Sequence, residues 1–304
     1  MDVRLTIVGI GGVGGILAGP LLRKYGGAVN LVARGARGEA LRAHGLTLHS
    51  DLYGTFTVPA PSVAEKAEEL GVQDYVLLCV KNDALPAVAR QLMPIVDEHT
   101  VVVPVMNGVT AVEVLERELG KGKIVGSVIY TVSSAGADFS ITQKGKFTHL
   151  FLEDREETRP LHTILTEADI DCRLTADIKT AIWSKYVFNC AYNTMTAAAA
   201  TNAAGLKAEP LHSDFAAILA EAKAVGMACG AAFREDMVEK ELVRLDKTSD
   251  ASTSSLSRDF DAGRVGEMEV FSGDLLGMAA RHGIAAPAME RYYEMLRTRA
   301  ASFA

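Results

Sequence analysis

Six residues near the start, Gly9-Ile10-Gly11-Gly12-Val13-Gly14, constrain the fold of this chain more than any others. They follow the apolar run Val3–Val8 and lead into a second apolar segment, Val13–Tyr25, closed by Gly26-Gly27. A buried strand, a glycine turn and a helix in that order open a parallel α/β layer. In a turn of this kind Gly9 permits the tight bend, Gly11 lets backbone approach a ligand, and Gly14 allows close helix–strand packing. Free N–H groups from Ile10, Gly12 and Val13 would meet a pyrophosphate at the helix N-terminus. The plain alternative is a glycine-rich turn with no ligand. One local conflict stands out: Pro20 falls inside the expected helix, where a lost hydrogen bond costs about 3 kcal/mol. With Gly15 and Gly19 nearby, the helix is expected to kink or end early.

The pattern continues as strand and helix in alternation. Val29–Ala33, Tyr75–Val80 and Val101–Val105 read as buried strands, and the continuous run YVLLCV suits the middle of a parallel sheet. Asp83 is placed to cap a helix through Met93, and Ala111–Leu119 forms another. Ile124–Val132, Phe139–Thr142 and Phe147–Leu152 alternate, which predicts an antiparallel or mixed region. From about Asp177 strand-like runs disappear. Helical periodicity covers Ile178–Ala204, Asp214–Cys229, Glu235–Leu245, Arg264–Arg281 and Pro287–Arg299. The expected fold class is therefore α/β: an N-terminal Rossmann-like doubly wound sheet followed by a C-terminal all-α domain. The boundary falls between Leu174 and Ile178, giving a nucleotide-binding domain over 1–175 and an all-helical substrate and catalytic domain over 176–304.

Which nucleotide is bound turns on the end of the second strand. A site for NAD normally has Asp or Glu there, to bond the ribose hydroxyls. This chain has Arg34, with Arg37 close behind. A guanidinium fork matches the 2′-phosphate of NADP, which a carboxylate would repel. The alternative is a surface arginine at a strand end. Lys81 and Asn107-Gly108 stand at the carboxyl ends of the next two strands, where such sheets hold ligands. Lys81 would face the cofactor or a substrate carboxylate, and Asn107 the nicotinamide ribose or the substrate. A solvated lysine and an ordinary Asn-Gly turn are the alternatives.

The segment Trp183–Asn193, WSKYVFNCAYN, reads as an apolar helix with one polar stripe. Lys185, Asn189 and Asn193 are spaced i, i+4, i+8 and project from nearly one side. A helix apolar almost all round is buried, and a buried lysine is costly unless paired, wetted or used. The stripe is thus either a catalytic lysine with two amides along a substrate groove, or a solvated face on an ordinary amphipathic helix. Ser254-Ser255 precedes a further helix, where Ser255 by itself is an N-cap, and Glu267 and Asn202 are unremarkable alone.

Composition narrows the function classes. Of 304 residues 49% are hydrophobic and 23% charged, with net charge −7. No run of Lys or Arg exceeds two, which argues against nucleic acid. Apolar stretches break well before ~20 residues, so no membrane span is expected, and the start has no signal-peptide pattern. The four scattered cysteines, without a CxxC pair, suit reduced thiols in the cytoplasm. HExxH, P-loop, GxSxG and zinc-spaced Cys/His patterns are all absent. A metal-free, cofactor-dependent reaction on a small molecule remains.

Taken in order, the N-terminal GxGxxG, Arg34, Lys81, Asn107-Gly108, the WxKxxxNxxxN helix and the SSLxxD…GRxxE segment resemble the 2-dehydropantoate 2-reductase (ketopantoate reductase) family. The tail His282-Gly283-Ile284 with Pro287 is similar too. The resemblance covers essentially the full chain. It implies reduction of ketopantoate to pantoate with NADPH, on the route to pantothenate and coenzyme A. It further implies that Lys185 is the general acid toward the ketone oxygen, and that Glu267 positions substrate and assists the lysine. Asn107, Asn189, Asn193 and Ser255 match positions that hold the substrate. Thr194 stands where the family commonly has Pro, and Leu256 where Met is usual. A further family asparagine would fall near Ala203, so Asn202 serves only if the loop shifts by one residue. These departures touch the substrate side. They leave open a reductase for a different branched 2-oxoacid, and a non-catalytic NADPH sensor. A homodimer is an open assembly state.

Overall fold

The computed structural model describes residues 3–303 and divides into two compact units, one ending at Ile178 and one beginning at Lys179. The first unit opens with β1 (Leu5–Val8), α1 (Gly12–Tyr25), β2 (Val29–Val32), α2 (Gly35–His44), β3 (Leu46–Ser50), β4 (Gly54–Val58) and β5 (Val63–Ala64). It continues through β6 (Tyr75–Leu78), α3 (Leu85–Leu92), β7 (Val101–Pro104), α4 (Ala111–Leu119) and β8 (Lys123–Ile124). It closes with β9 (Ser127–Ala135), β10 (Ile141–Glu153), α5 (Arg159–Glu167) and β11 (Asp171–Thr175). Two sheets result. A six-stranded sheet, all parallel, has the order β5-β2-β1-β6-β7-β8. The four residues of β1, β6 and β7 are each fully buried, as strands covered on both faces must be. The second sheet is mixed, in the order β11-β10-β3-β4 with β9 antiparallel to β10.

Helix α1 packs against both sheets, and its glycines make this geometrically possible. A Cβ on Gly15 would lie 2.3 Å from the Ile141 side chain, and one on Gly12 would lie 2.7 Å from the Ser133 carbonyl oxygen. A Cβ on Gly19 would crowd Leu48. The residues that weaken the helix locally therefore form the face on which the second sheet closes. The expectation of an early end at Pro20 is corrected: α1 runs unbroken to Tyr25 with Pro20 buried inside it. Burial on both sides outweighs the lost hydrogen bond.

Three further differences have physical reasons. Residues expected as two short strands form one, β10, with a register irregularity between Lys144 and His149 that absorbs Gly145. Asp83 does not cap α3. It lies in a short 3₁₀ turn, Asn82–Ala84, where its Oδ1 accepts the Ala84 N–H at 3.0 Å. Strands β3, β4 and β11 were not expected.

The second unit is helical: α6 (Ile178–Ala198, with Ile178 still in the first unit), α7 (Ala203–Leu206), α8 (Leu211–Ala228), α9 (Met237–Lys247), α10 (Ser255–Asp261), α11 (Asp274–Arg281) and α12 (Pro287–Ala300). Helix α6 stops at Ala198 rather than Ala204, where Ala200 adopts a positive φ of 48°. The helix expected from Arg264 begins only after Gly266, at φ 58°, and its first part, Glu269–Gly273, is π-helical. Glu221 ties two helices: its carboxylate accepts the Ala288 and Met289 N–H groups at 2.8 and 2.9 Å, capping α12. Among the described residues no helix is long and apolar enough to cross a membrane, and no group of His, Cys, Asp or Glu is placed to hold a metal ion.

Candidate active site

The glycine turn has the shape its sequence implies. Gly9 takes φ +88°, and a Cβ there would meet the Cys79 carbonyl oxygen at 2.8 Å, so the turn requires glycine. At Gly14 a Cβ would lie 2.0 Å from the Gly9 carbonyl oxygen and 3.2 Å from Cys79 Cβ, which fixes the close helix–strand approach. Gly11 differs: nothing lies within 4 Å of its would-be Cβ. Its backbone borders open space where a ligand can approach.

That space is a cavity of about 830 Å³ along the carboxyl ends of β1 and β2. Gly9, Ile10, Gly11, Ala33, Arg34 and Arg37 line it. Gly12, Val13, Gly14, Lys81 and Asn107 lie outside its lining, and Gly12 instead packs on β9. Arg34 is exposed at the start of α2. Arg37 is half-buried, its guanidinium 4.9 Å from the Phe139 ring centroid, and burial lowers its pKa. Neither arginine has a carboxylate partner within 4 Å among the described residues. Cys79 below the turn is half-buried, and desolvation pushes its thiol up to about 12, which makes it a packing group. Sequence reasoning missed Glu65, Lys66, Glu68 and Gln91 in the cavity wall. They come from the turn before β6 and from α3, and nothing in their local pattern marks them.

Lys81 and Asn107 end neighbouring parallel strands. Lys81 is exposed and Asn107 half-buried. The Asn82 side chain donates to the Asn107 carbonyl at 2.9 Å and joins the two strand-end loops.

In the second unit α6 is buried almost all round from Trp183 to Ala198, while Lys185 and Asn189 are half-buried. Burial lowers the Lys185 ammonium from 10.5 to about 8; the negative charge of Glu267 opposes this, and the positive charge of Arg244 adds to it. Glu267 is half-buried in the turn after Gly266. The π segment behind it is fastened to α6 at two points. The Tyr186 hydroxyl donates to the Val270 carbonyl at 2.6 Å, and the Thr194 and Ser272 hydroxyls lie 2.8 Å apart, both buried. Thr194, where the family commonly has Pro, thus has a defined partner.

Asn193 and Ser255 are brought together. The Ser255 hydroxyl donates to Asn193 Oδ1 at 3.2 Å, and Asn193 Nδ2 donates to the Asn189 carbonyl at 3.1 Å. Asn193 is only 6% exposed, so both ends of its amide serve the protein. The cap of α10 is Ser254, whose Oγ accepts the Ser257 N–H at 3.0 Å. That corrects the capping role considered for Ser255 and leaves its hydroxyl for Asn193. Asn202 caps α7, accepting the Gly205 N–H at 3.2 Å.

The comparisons with known proteins agree with this geometry. The family model described as "Ketopantoate reductase PanE/ApbA" matches residues 5–154, and its C-terminal counterpart matches 177–300. A 2-dehydropantoate 2-reductase of Mesorhizobium japonicum is 30% identical over 293 residues, covering 88% of each chain. The crystal structure of 2-dehydropantoate 2-reductase from Geobacter metallireducens superposes with a TM-score of 0.88 at 28% identity, covering 97% of this chain and 99% of that one. A ternary structure of D-mandelate dehydrogenase with NADH and anilino(oxo)acetate shares the fold, with a TM-score of 0.86 at 18% identity over 99% of both chains. A glycine turn bordering an open cavity, a desolvated lysine on a buried helix and a family match in both units lead to one conclusion: this chain belongs to the ketopantoate reductase family of pyridine-nucleotide-dependent oxidoreductases.

Proposed function

We propose that this enzyme reduces 2-dehydropantoate (ketopantoate) to pantoate with NADPH, and that Lys185 is the proton donor. The observation that carries the reading is the Lys185 amine: half-buried, shifted to about 8, and within reach of the charge of Glu267. An amine with a pKa near ambient pH is charged enough to serve as an acid and weak enough to give its proton up.

The open face of Gly11 and the guanidinium of Arg34 fit a dinucleotide with a 2′-phosphate. Bound NADPH would supply the hydride. The chain's own groups do the rest. Lys185 gives its proton to the ketone oxygen as negative charge develops there, and its ammonium stabilises that charge beforehand. Glu267 holds the ammonium in place and keeps it protonated. Asn189 and the Ser255 hydroxyl offer hydrogen bonds to the substrate, with Asn193 orienting Ser255. Lys81 and Asn107 belong to the nucleotide side. We assign Asn202 to capping, since its oxygen is already committed. The nucleotide-binding role falls to residues 1–175 and the catalytic role to 176–304. Four free thiols suit the reducing cytoplasm.

A second reading, a reductase for a different branched 2-oxoacid, is favoured by Thr194 and Leu256 on the substrate side. One assay separates the readings: NADPH oxidation against a panel of branched 2-oxoacids, ketopantoate first. Ketopantoate reduced with the highest kcat/KM is the expected result. Preference for another acid supports the second reading. NADPH binding with no turnover on any acid would leave a nucleotide-binding sensor.

A further inference from the structure

Arg244 on α9 lies over the working face of α6. Lys185, Phe188, Asn189 and Tyr192 are spaced i, i+3, i+4 and i+7, and so share one side of that helix. The Arg244 guanidinium sits 4.0 Å from the Phe188 ring centroid. Its charge is felt at the Lys185 amine. Glu241, one turn earlier on α9, holds one edge of the fork through Nη1 at 3.2 Å. The Arg244 side chain is 42% exposed and borders a hollow of about 470 Å³ along α9, lined also by Asp236, Glu239, Lys240, Val243 and Lys247.

We propose that Arg244 is the carboxylate anchor for the 2-oxoacid, a specificity-determining residue on the substrate side. The inference rests on the proposed 2-oxoacid reductase function and deepens it. In a 2-oxoacid the carboxylate is bonded directly to the ketone carbon. A proton donor for the ketone oxygen and a cation for the carboxylate must then stand near each other, and Arg244 stacks on the ring three residues along α6 from Lys185 with its charge felt at that amine. A planar fork stacked on an aromatic ring is pre-organised for a carboxylate in a way that a lysine is not. Asn189 lies on the same face and can share the carboxylate. The anchor also has an electrostatic consequence. With no substrate, the positive charge of Arg244 weakens the hold of Lys185 on its proton. A bound carboxylate cancels that charge and strengthens the hold.

The test compares steady-state kinetics of the wild-type enzyme with Arg244→Ala and Arg244→Lys. Each is run with NADPH on the best 2-oxoacid and on the matching 2-oxo amide, which lacks the negative charge. For the acid, Arg244→Ala should raise KM about 10–100-fold with a smaller change in kcat. Arg244→Lys should fall between, and the amide should lose little in either variant. In the kcat/KM profile for reduction, the basic limb near pH 8 should move upward in Arg244→Ala. In the wild type the limb of kcat should lie above that of kcat/KM. Unchanged KM and an unmoved limb in a folded Arg244→Ala enzyme would overturn the anchor and leave the reductase reading standing. Equal losses on acid and amide would also overturn it, because a merely structural residue does not distinguish charge. A wild-type enzyme inert toward every 2-oxoacid would overturn the reductase reading and the anchor together.

Discussion

The two units carry their functional information in different forms. In the first, the proposed nucleotide recognition is built from backbone. Gly9, Gly11 and Gly14 act by lacking a side chain: Gly9 and Gly14 let the turn close against backbone, and Gly11 leaves its edge open to the cavity. In the second, α6 holds a titratable group in a setting that changes its chemistry, and that setting comes from α9, α10 and the π segment. Geometry written in glycine spacing is local and legible. Chemistry written in desolvation is collective, and it appears only when the helices are packed.

Substitutions can break this comparison or sharpen it. The largest effect is expected in the second unit. Lys185→Ala should lower kcat by ~10²–10⁴-fold, the usual contribution of a positioned proton donor, with NADPH affinity measured by fluorescence titration nearly normal. If affinity fell with turnover, the division of labour between the units would be wrong. Next comes Arg34→Ala, which should weaken NADPH by roughly 10–100-fold and NADH far less. Equal losses for both cofactors would remove the 2′-phosphate argument.

The glycines offer a finer contrast within the first unit. Gly14→Ala places a methyl against backbone and should cost about 1–3 kcal/mol of stability in denaturant unfolding. Gly11→Ala meets open space, so its stability should change by less than about 1 kcal/mol. Its nucleotide affinity should nevertheless fall, because the methyl occupies room that a phosphate would use. Equal destabilisation by the two substitutions would mean that the turn is purely structural.

Much of the first unit could be read in advance. Buried parallel strands are largely apolar runs, and β1, β6 and β7 announce themselves in this way, while β2 carries Asn30 within it. Helix α4 matches its expected span, closed by Gly120 in the left-handed conformation. Strands β3, β4 and β11 were silent because none is buried on both faces; β3 and β4 form a short hairpin that joins the sheet only through β10, far along the chain. Gly145 between two lysines looks like a break, yet β10 passes through it with a bulge. In the second unit the stripe of Lys185, Asn189 and Asn193 was visible, but its meaning was not. Spacing could not show that the Asn193 amide is committed at both ends, nor which of two adjacent serines caps α10. Arg244 gave no local signal at all, because its importance depends on the ring of Phe188 beneath it.

The pH dependence of ketone reduction tests the central claim most directly. Lys185 must be protonated to act as the acid, and its ammonium is held at about 8. The kcat/KM for NADPH-dependent reduction should be full below that value and fall as pH rises through it. Oxidation of the product alcohol needs the free amine, so it should rise through the same pH. The limb should vanish in Lys185→Ala, leaving a low rate without it. A profile flat from pH 7 to about 10, where ordinary lysines titrate, or a limb that survives in Lys185→Ala, would contradict the account.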